Sequence, residues 1–233
     1  MAFNLQVFKT RALTAVIFVA VMFAGLFWNK WSFIILFTII HFGCWYEFIK
    51  LMKKIYGDKY LPKALLGLLY ITMPVVMMLF LGFYMNFLFE TSLDILFYSC
   101  LFPCAIIFSI WINDTMAYIV GSFIGRIPFS KISPKKTWEG ILGGMLFCII
   151  VIALLGHYLT IAKPIPTKHW IAIAAICAVF GTIGDLLESK IKRMANVKDS
   201  GAIMPGHGGF LDRFDSLLIA TPFVWIYVML FIH

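Results

Sequence analysis

Long apolar runs restrict the fold of this 233-residue chain more than any other feature of its sequence. Hydrophobic residues make up 62% of the chain and charged residues only 13%, whereas soluble domains carry about 25% charged residues. A bilayer core needs about 20 apolar residues per helix, so we predict an all-α, polytopic transmembrane helix bundle with about seven to nine membrane helices. The apolar runs cover residues 12–28, 31–49, 64–82, 95–125, 141–162, 170–187 and 214–232.

The fourth run, residues 95–125, is too long for one upright crossing. Its roughly 30 residues, rising about 1.5 Å each, would overrun a hydrocarbon core of about 30 Å. We predict an odd number of crossings here, made by one tilted long helix or by a broken helix. An even number would cancel the asymmetry with which the basic residues are distributed across the membrane.

The basic residues are confined to short breaks between the apolar runs. Sixteen of the 19 Lys and Arg residues fall in segments that successive crossings place on one side, and only Lys30, Lys163 and Lys168 fall on the other. The positive-inside rule assigns the basic side to the cytoplasm, together with the polar loops 126–140 and 188–213. The net charge of +8 therefore indicates membrane topology and contact with anionic lipid headgroups rather than nucleic-acid binding.

The chain shows no internal repeat or linker composition, so we predict one integral membrane domain over residues 1–233. Residues 1–112 would supply N-terminal spans and residues 113–233 the catalytic half. Seven of the 11 acidic residues lie in or beside the last two cytoplasmic loops, which is where we expect the chemistry. We predict a multi-pass protein of the cell membrane, of the bacterial inner-membrane kind, with its active site on the cytoplasmic face.

Four carboxylates at the ends of the last two apolar runs form the strongest candidate site. Asp185 and Glu188 are three residues apart and share a helix face, as do Asp212 and Asp215. Carboxylates that converge from neighbouring helices offer the oxygen ligands that Mg²⁺ prefers. Taken singly, each carboxylate is better explained by helix capping or by ion pairs with nearby lysines and arginines. All four together, beside a glycine-rich loop, favour a metal site.

Two loops could hold phosphate groups. Lys135 and Lys136 precede a helix, and their charges together with the backbone N–H groups of the helix N-terminus would suit a triphosphate. A membrane anchor on the cytoplasmic side explains the same residues equally well. The segment 205–209, Pro-Gly-His-Gly-Gly, would let backbone N–H groups approach a phosphate, although it also fits an ordinary loop. His207 is the histidine with the most site-like surroundings.

Two further carboxylates lie within apolar runs. Asp114 is deep in the fourth run, and because an intramembrane carboxylate is costly we expect it to be functional. Glu47 lies near the end of the second run. We expect it to reach the membrane surface or to pair with Lys50, and so to matter little for activity.

Four polar blocks interrupt the apolar sequence of the C-terminal half. Three of them read N-D-T-x-A-Y at 113–118, S-P-K-K-T-x-E-G at 133–140 and G-D-L-x-E-S at 184–189. The fourth, at 189–215, reads S-x2-K-R-x4-K-D-x-G-x3-P-G-H-G-G-x2-D-R-x-D and is very specific. In this order the blocks resemble those of the phosphatidate cytidylyltransferase (CDP-diacylglycerol synthase) family. The N-terminal hundred residues are similar to the family only in having several spans.

The resemblance implies Mg²⁺-dependent transfer of the cytidylyl group of CTP to phosphatidate, which forms CDP-diacylglycerol and pyrophosphate. The metal would be held by Asp185 and Asp212, with Glu188 and Asp215 beside them, and Asp114 would organise a second cation or a lysine. The catalytic residues implied are Asp185, Asp212, Asp215, Lys192, Arg193 and Lys198. The substrate-binding residues implied are Asp114, Ser133, Lys135, Lys136, Thr137, Glu139, Ser189, Asp199, His207, Gly208, Gly209 and Arg213.

Two other functions remain open at this point. A CTP-dependent polyprenol kinase would also join a cytidine nucleotide to a membrane lipid, but it would move the γ-phosphate. An ion-coupled transporter would use Asp114 in its pathway, although the concentration of polar residues at one membrane face argues against a pathway through the membrane. The predicted partners are CTP, phosphatidate and the lipid bilayer, without nucleic acid, and a homodimer is an oligomeric state that the sequence leaves open.

Overall fold

The structure is a computed structural model that describes residues 5–84, 98–130, 132–203 and 208–232. The described residues form helices and no strand, as the apolar runs predict. An isolated antiparallel bridge joins Pro128 and Thr137 in the loop between two of the helices.

The chain divides into two compact units, each built from two stretches of sequence. Unit 1 comprises Met1–Thr72 and Ile191–Phe214, and unit 2 comprises Met73–Lys190 and Asp215–His233. Unit 1 contains α1 (Leu5–Phe27), α2 (Lys30–Tyr56), the 3₁₀ turn Gly57–Lys59, α3 (Tyr60–Ala64) and the π-helical turn Leu68–Thr72. Unit 2 contains α4 (Met73–Phe83), α5 (Leu101–Ile124) and α6 (Trp138–Tyr158), while α7 (Thr167–Met194) and α8 (Leu211–Phe231) contribute residues to both units.

Five helical segments of the described chain are long and apolar enough to cross a membrane. They are Lys30–Ala64, Leu101–Ile124, Trp138–Tyr158, Thr167–Met194 and Leu211–Phe231, and two shorter apolar helices cover Ala12–Phe27 and Leu68–Phe83. The fourth apolar run is not one helix of about thirty residues. α5 begins at Leu101 after Cys100, so its 24 residues span about 36 Å, which a modest tilt fits to a bilayer core.

The hairpin between α1 and α2 is closed by a capping box. The Oδ1 atom of Asn29 accepts hydrogen bonds from the backbone N–H groups of Trp31 (2.8 Å) and Ser32 (3.0 Å), and the Ser32 hydroxyl accepts from the backbone N–H of Asn29. These bonds satisfy N–H groups that a helix start leaves without intrahelical partners. Phe33 and Phe37 lie four residues apart on α2, and both are fully buried, with ring centroids 5.0 Å apart.

Small residues bring helices of unit 2 into close contact. A Cβ atom on Gly140 would lie 2.7 Å from the carbonyl oxygen of Ala117, and one on Gly144 would lie 2.7 Å from that of Asn113, so α6 and α5 meet backbone to backbone. In the same way, a Cβ atom on Gly184 of α7 would lie 2.5 Å from the carbonyl oxygen of Asp215. This second approach sets the position of the carboxylates on α7.

Candidate active site

Three carboxylates of unit 2 lie together. Asp185 and Glu188 come from one face of α7 and Asp215 from α8, and each offers an oxygen atom within 4.8 Å of those of the other two. Glu188 is fully buried and Asp215 is only 7% exposed. The cluster forms because Gly184, directly before Asp185, allows the α7 backbone to approach that of Asp215.

The charge of this cluster is balanced in part by the loop that precedes α6. The Lys136 ammonium forms an ion pair with the Asp185 carboxylate, at the more exposed edge of the cluster. The Oδ1 atom of Asp215 accepts a 2.6 Å hydrogen bond from the backbone N–H of Ser216. Three carboxylates at this spacing repel one another when they are ionised, so a bound cation would stabilise the cluster.

The residues of the cluster fit a hard divalent cation. Mg²⁺ prefers oxygen ligands, takes one or two carboxylates from a protein and completes its shell with water and phosphate oxygens. Asp185, Glu188 and Asp215 offer carboxylate oxygens close enough together to share one ion. The sequence prediction also placed Asp212 on the metal, but Asp212 has other partners within unit 1, and its role as a metal ligand stays a prediction.

The loop before α6 is folded by its own backbone and by Glu139. The Glu139 carboxylate accepts hydrogen bonds from the backbone N–H groups of Arg126 (3.1 Å) and Ile127 (3.3 Å). The Phe129 N–H donates to the carbonyl of Lys136 at 2.7 Å, and the Lys136 N–H donates to that of Ser133 at 3.1 Å. These bonds hold Lys136 beside the α6 N-terminus.

Thr137 caps this helix, because its hydroxyl accepts a 3.2 Å hydrogen bond from the backbone N–H of Gly140. Lys135 is exposed on the same loop. Within the loop, Glu139 and Thr137 both hold the backbone in its observed shape. Direct contact of either residue with substrate stays a prediction.

Unit 1 contains a second polar cluster, centred on Asp212 at the start of α8. The Oδ1 atom of Asp212 accepts from the Lys192 ammonium at 2.5 Å. Its Oδ2 atom accepts from the Gly209 N–H (2.7 Å), the Ser200 N–H (2.9 Å) and the Ser200 hydroxyl (2.9 Å). This carboxylate is thus held by one cation and by three hydrogen-bond donors.

Glu47 belongs to the same cluster, and the prediction that it reaches the membrane surface or pairs with Lys50 is wrong. Its side chain is 1% exposed. The carboxylate accepts hydrogen bonds from the Phe210 N–H (3.0 Å), the Leu211 N–H (2.9 Å) and the Ser200 hydroxyl (2.6 Å). Sequence reasoning missed it because its partners lie more than 150 residues further along the chain.

The remaining predicted site residues lie at or near the surface of their units. Arg193 is exposed and donates from Nη1 to the carbonyl of Val197 at 3.2 Å. Gly208 has φ +83°, in the left-handed region that favours glycine. Lys198, Asp199 and Arg213 are exposed, Ser189 is partly buried, Asp114 is exposed on α5, and His207 lies outside the described residues.

A sequence model of the cytidylyltransferase family matches residues 70–231, well over half of the chain. The chain belongs to the cytidylyltransferase family. The matched range contains all four sequence blocks, so the resemblance inferred from them is confirmed, whereas Glu47 lies before it.

Named relatives of this cytidylyltransferase-family chain agree. A phosphatidate cytidylyltransferase of Bacillus subtilis (strain 168) is 41% identical over 143 residues, which cover 61% of the chain and 50% of the relative. A phosphatidate cytidylyltransferase of Staphylococcus aureus (strain COL) is 44% identical over 48% of the chain and 43% of the relative. Phosphatidate cytidylyltransferase 4, chloroplastic, of Arabidopsis thaliana is 44% identical over 50% of the chain and 29% of the relative. The matched region spans half or less of the length of each of these curated relatives.

Proposed function

We propose that this chain is a phosphatidate cytidylyltransferase that transfers the cytidylyl group of CTP to phosphatidate, at a Mg²⁺ ion held by Asp185, Glu188 and Asp215. The observation that carries the proposal is the cluster of these three carboxylates, with Lys136 paired to one of them. The names of the relatives supply the substrates.

The reaction asks for alignment and charge neutralisation rather than for a covalent intermediate. A phosphate oxygen of phosphatidate forms a bond to the α-phosphorus of CTP, the bond between the α-phosphorus and the bridging oxygen breaks, and pyrophosphate leaves with the electron pair. The attacking phosphate is already an anion at neutral pH, so no side chain has to remove a proton. A bound Mg²⁺ ion would supply charge neutralisation at the phosphates.

The lysines and arginines of the two polar loops would bind the phosphates. Lys136 would stand between the carboxylate cluster and a substrate oxygen, and Lys135 would add a second charge from the same loop. Asp212 would orient the Lys192 ammonium toward the triphosphate through its 2.5 Å ion pair. Arg193 and Lys198 would add positive charge near Lys192. In this proposal Thr137 and Glu139 hold the shape of the loop before α6. A substrate-binding role is kept by the other predicted loop residues, which are Ser133, Ser189, Asp199, His207, Gly208, Gly209 and Arg213.

The same proposal includes the topology of the chain. The loops 126–140 and 188–213 would face the cytoplasm, where CTP is available, and the bundle would contain about seven to nine membrane helices. This orientation is supported by the distribution of the basic residues, since 16 of the 19 would lie on the cytoplasmic side. Labelling Ile132→Cys and His233→Cys with a membrane-impermeant reagent would contradict it if both positions reacted from the same side.

The central test follows the phosphorus atoms of CTP. Purified protein is incubated with phosphatidate, Mg²⁺ and CTP that carries label in either the α or the γ position. We expect the α label to enter lipid, the γ label to leave as pyrophosphate, and excess chelator to stop both. Transfer of the γ label to lipid would indicate a lipid kinase instead, and uptake of neither label would exclude cytidylyl transfer to phosphatidate.

A further inference from the structure

We infer that Glu47, which lies outside the family match, is a positioning residue that holds the start of α8 and, through Ser200, the Asp212 carboxylate with its Lys192 partner. This inference rests on the proposed function, since Asp212 and Lys192 act there on the triphosphate. Every contact that carries it lies within unit 1.

The first observation is that Glu47 caps a helix from another helix. The first N–H groups of a helix have no intrahelical acceptor, and at a buried helix start each must find another partner. For α8, the Phe210 N–H donates to Oε1 of Glu47 at 3.0 Å and the Leu211 N–H donates to Oε2 at 2.9 Å. A carboxylate there also interacts favourably with the positive end of the helix dipole. Glu47 of α2 therefore fixes where α8 begins.

The second observation is the hydroxyl group that Glu47 shares with Asp212. The Ser200 Oγ atom lies 2.6 Å from Oε2 of Glu47 and 2.9 Å from Oδ2 of Asp212. The same oxygen accepts a 3.3 Å hydrogen bond from the Asp212 N–H. Because one hydroxyl has one proton, any displacement of Glu47 changes how Ser200 is bonded to Asp212. The position of Asp212, and with it that of Lys192, depends on Glu47.

The third observation is that two glycines leave room for this carboxylate. A Cβ atom on Gly201 would collide with Oε1 of Glu47, and one on Gly209 would collide with both carboxylate oxygens. Any larger residue at either position would displace Glu47 or the chain that it binds. The close approach of Glu47 is therefore sufficient to explain why both positions are glycine, without any unusual backbone angle.

The test compares turnover per folded molecule in three variants. Glu47→Gln keeps the shape of the side chain. It places an amide NH₂ group, which donates hydrogen bonds, opposite N–H and O–H groups that also donate them. Gly201→Ala keeps the glutamate and pushes it out of place. Asp58→Asn, which removes an exposed carboxylate from unit 1, is the matched control. Rates are measured by transfer of the α label and are divided by the amount of monodisperse protein.

We expect Glu47→Gln and Gly201→Ala each to lower kcat about a hundredfold, because a small misplacement of charged groups has an effect of that size. The KM for CTP should change less than kcat. Asp58→Asn should stay within about twofold of the unmodified protein. If Glu47→Gln does not fold, the kcat of Gly201→Ala alone decides the test. Turnover per folded molecule within about threefold of normal in the folded variants, or a raised KM with unchanged kcat, would overturn the inference.

A double variant separates positioning from general destabilisation. In a Glu47→Ala background the space beside Gly201 is empty, so Gly201→Ala should lower kcat by no more than about threefold further. Additive losses would contradict the inference.

Measurement of hydrogen exchange distinguishes a failure of this inference from a failure of the proposed function. Glu47→Gln should speed exchange at the Phe210 and Leu211 amides whatever reaction the protein catalyses. Unchanged exchange at both amides would overturn the inference even if the α label enters lipid, whereas faster exchange without any transfer of label by the unmodified protein would point to the proposed function instead.

Discussion

The two carboxylate clusters of this protein are built in opposite ways. In unit 1, Glu47 and Asp212 face backbone N–H groups, a serine hydroxyl and a lysine ammonium, so their negative charge is balanced by the fold itself. In unit 2, Asp185, Glu188 and Asp215 offer oxygen atoms within 4.8 Å of one another, and Lys136 pairs with Asp185 at the more exposed edge. The first arrangement stabilises a protein without any ligand, whereas the second would gain stability from a bound cation.

In the proposed function, this difference separates residues that hold the chain in place from residues that would bind the metal. Removing a charge from the unit 1 cluster leaves donors or a lysine without their acceptor, which lowers stability. Removing a charge from the unit 2 cluster would weaken the proposed metal binding but should change stability little in the absence of metal. Stability and activity should therefore respond differently to the same Asp→Asn or Glu→Gln change in the two clusters.

The largest effect is expected for Asp185→Asn in the unit 2 cluster. Loss of a charge that a hard cation needs should lower the rate of α-label transfer about a thousandfold or more at saturating Mg²⁺. Thermal unfolding without Mg²⁺ should change little, because the ion pair with Lys136 is partly exposed and contributes little to stability. Near-normal turnover in a folded Asp185→Asn protein would place the metal elsewhere.

Next in size is the effect of Mg²⁺ on unfolding. At a concentration about a hundred times its dissociation constant, the ion should stabilise the unmodified protein by about 2.7 kcal/mol, seen as a rise of several degrees in the unfolding temperature. Glu188→Gln and Asp215→Asn should abolish most of this rise. An equal rise in both variants would show that the ion binds at other groups.

A smaller effect is expected for Asp212→Asn, which removes an ion pair of unit 1 rather than a proposed metal ligand. This variant loses a charged acceptor for Lys192, so its free energy of unfolding without Mg²⁺ should fall by about 2 kcal/mol. Adding Lys192→Met should recover part of the loss, because it removes the ammonium that has lost the Asp212 carboxylate. Denaturation of the two single variants and the double variant measures the coupling, and strictly additive losses would mean that the ion pair contributes nothing.

The smallest effect is expected for Glu139→Gln. Its carboxylate accepts hydrogen bonds from Arg126 N–H and Ile127 N–H at an exposed position, and the amide oxygen of glutamine can keep one of them. We expect the rate of α-label transfer to stay within about threefold of normal. A drop of a hundredfold would instead support the direct substrate contact that the family resemblance implies for Glu139.

Some features of the site could be predicted because they are local. Asp185 and Glu188 are three residues apart on a helix, and the structure does place their carboxylates together. Lys136 was recognised from its position before a helix N-terminus, and it lies beside Asp185. The sequence could not show that Glu47 is important, because its neighbours along α2 are mainly apolar residues and lysines, and its hydrogen-bond partners lie far away in the chain.

The sequence alone determined that the described chain is helical, with several helices able to cross a membrane, because the length and composition of apolar runs act within one segment. It also determined the family, through short blocks of fixed spacing. The four carboxylates of α7 and α8 were also grouped from the sequence, and the tertiary structure adds the close approach at Gly184 that brings Asp215 to Asp185 and Glu188. Only the tertiary structure decided that Glu47 caps α8. These contacts join residues that lie far apart in the chain, and helical periodicity carries no information about which helices pack together.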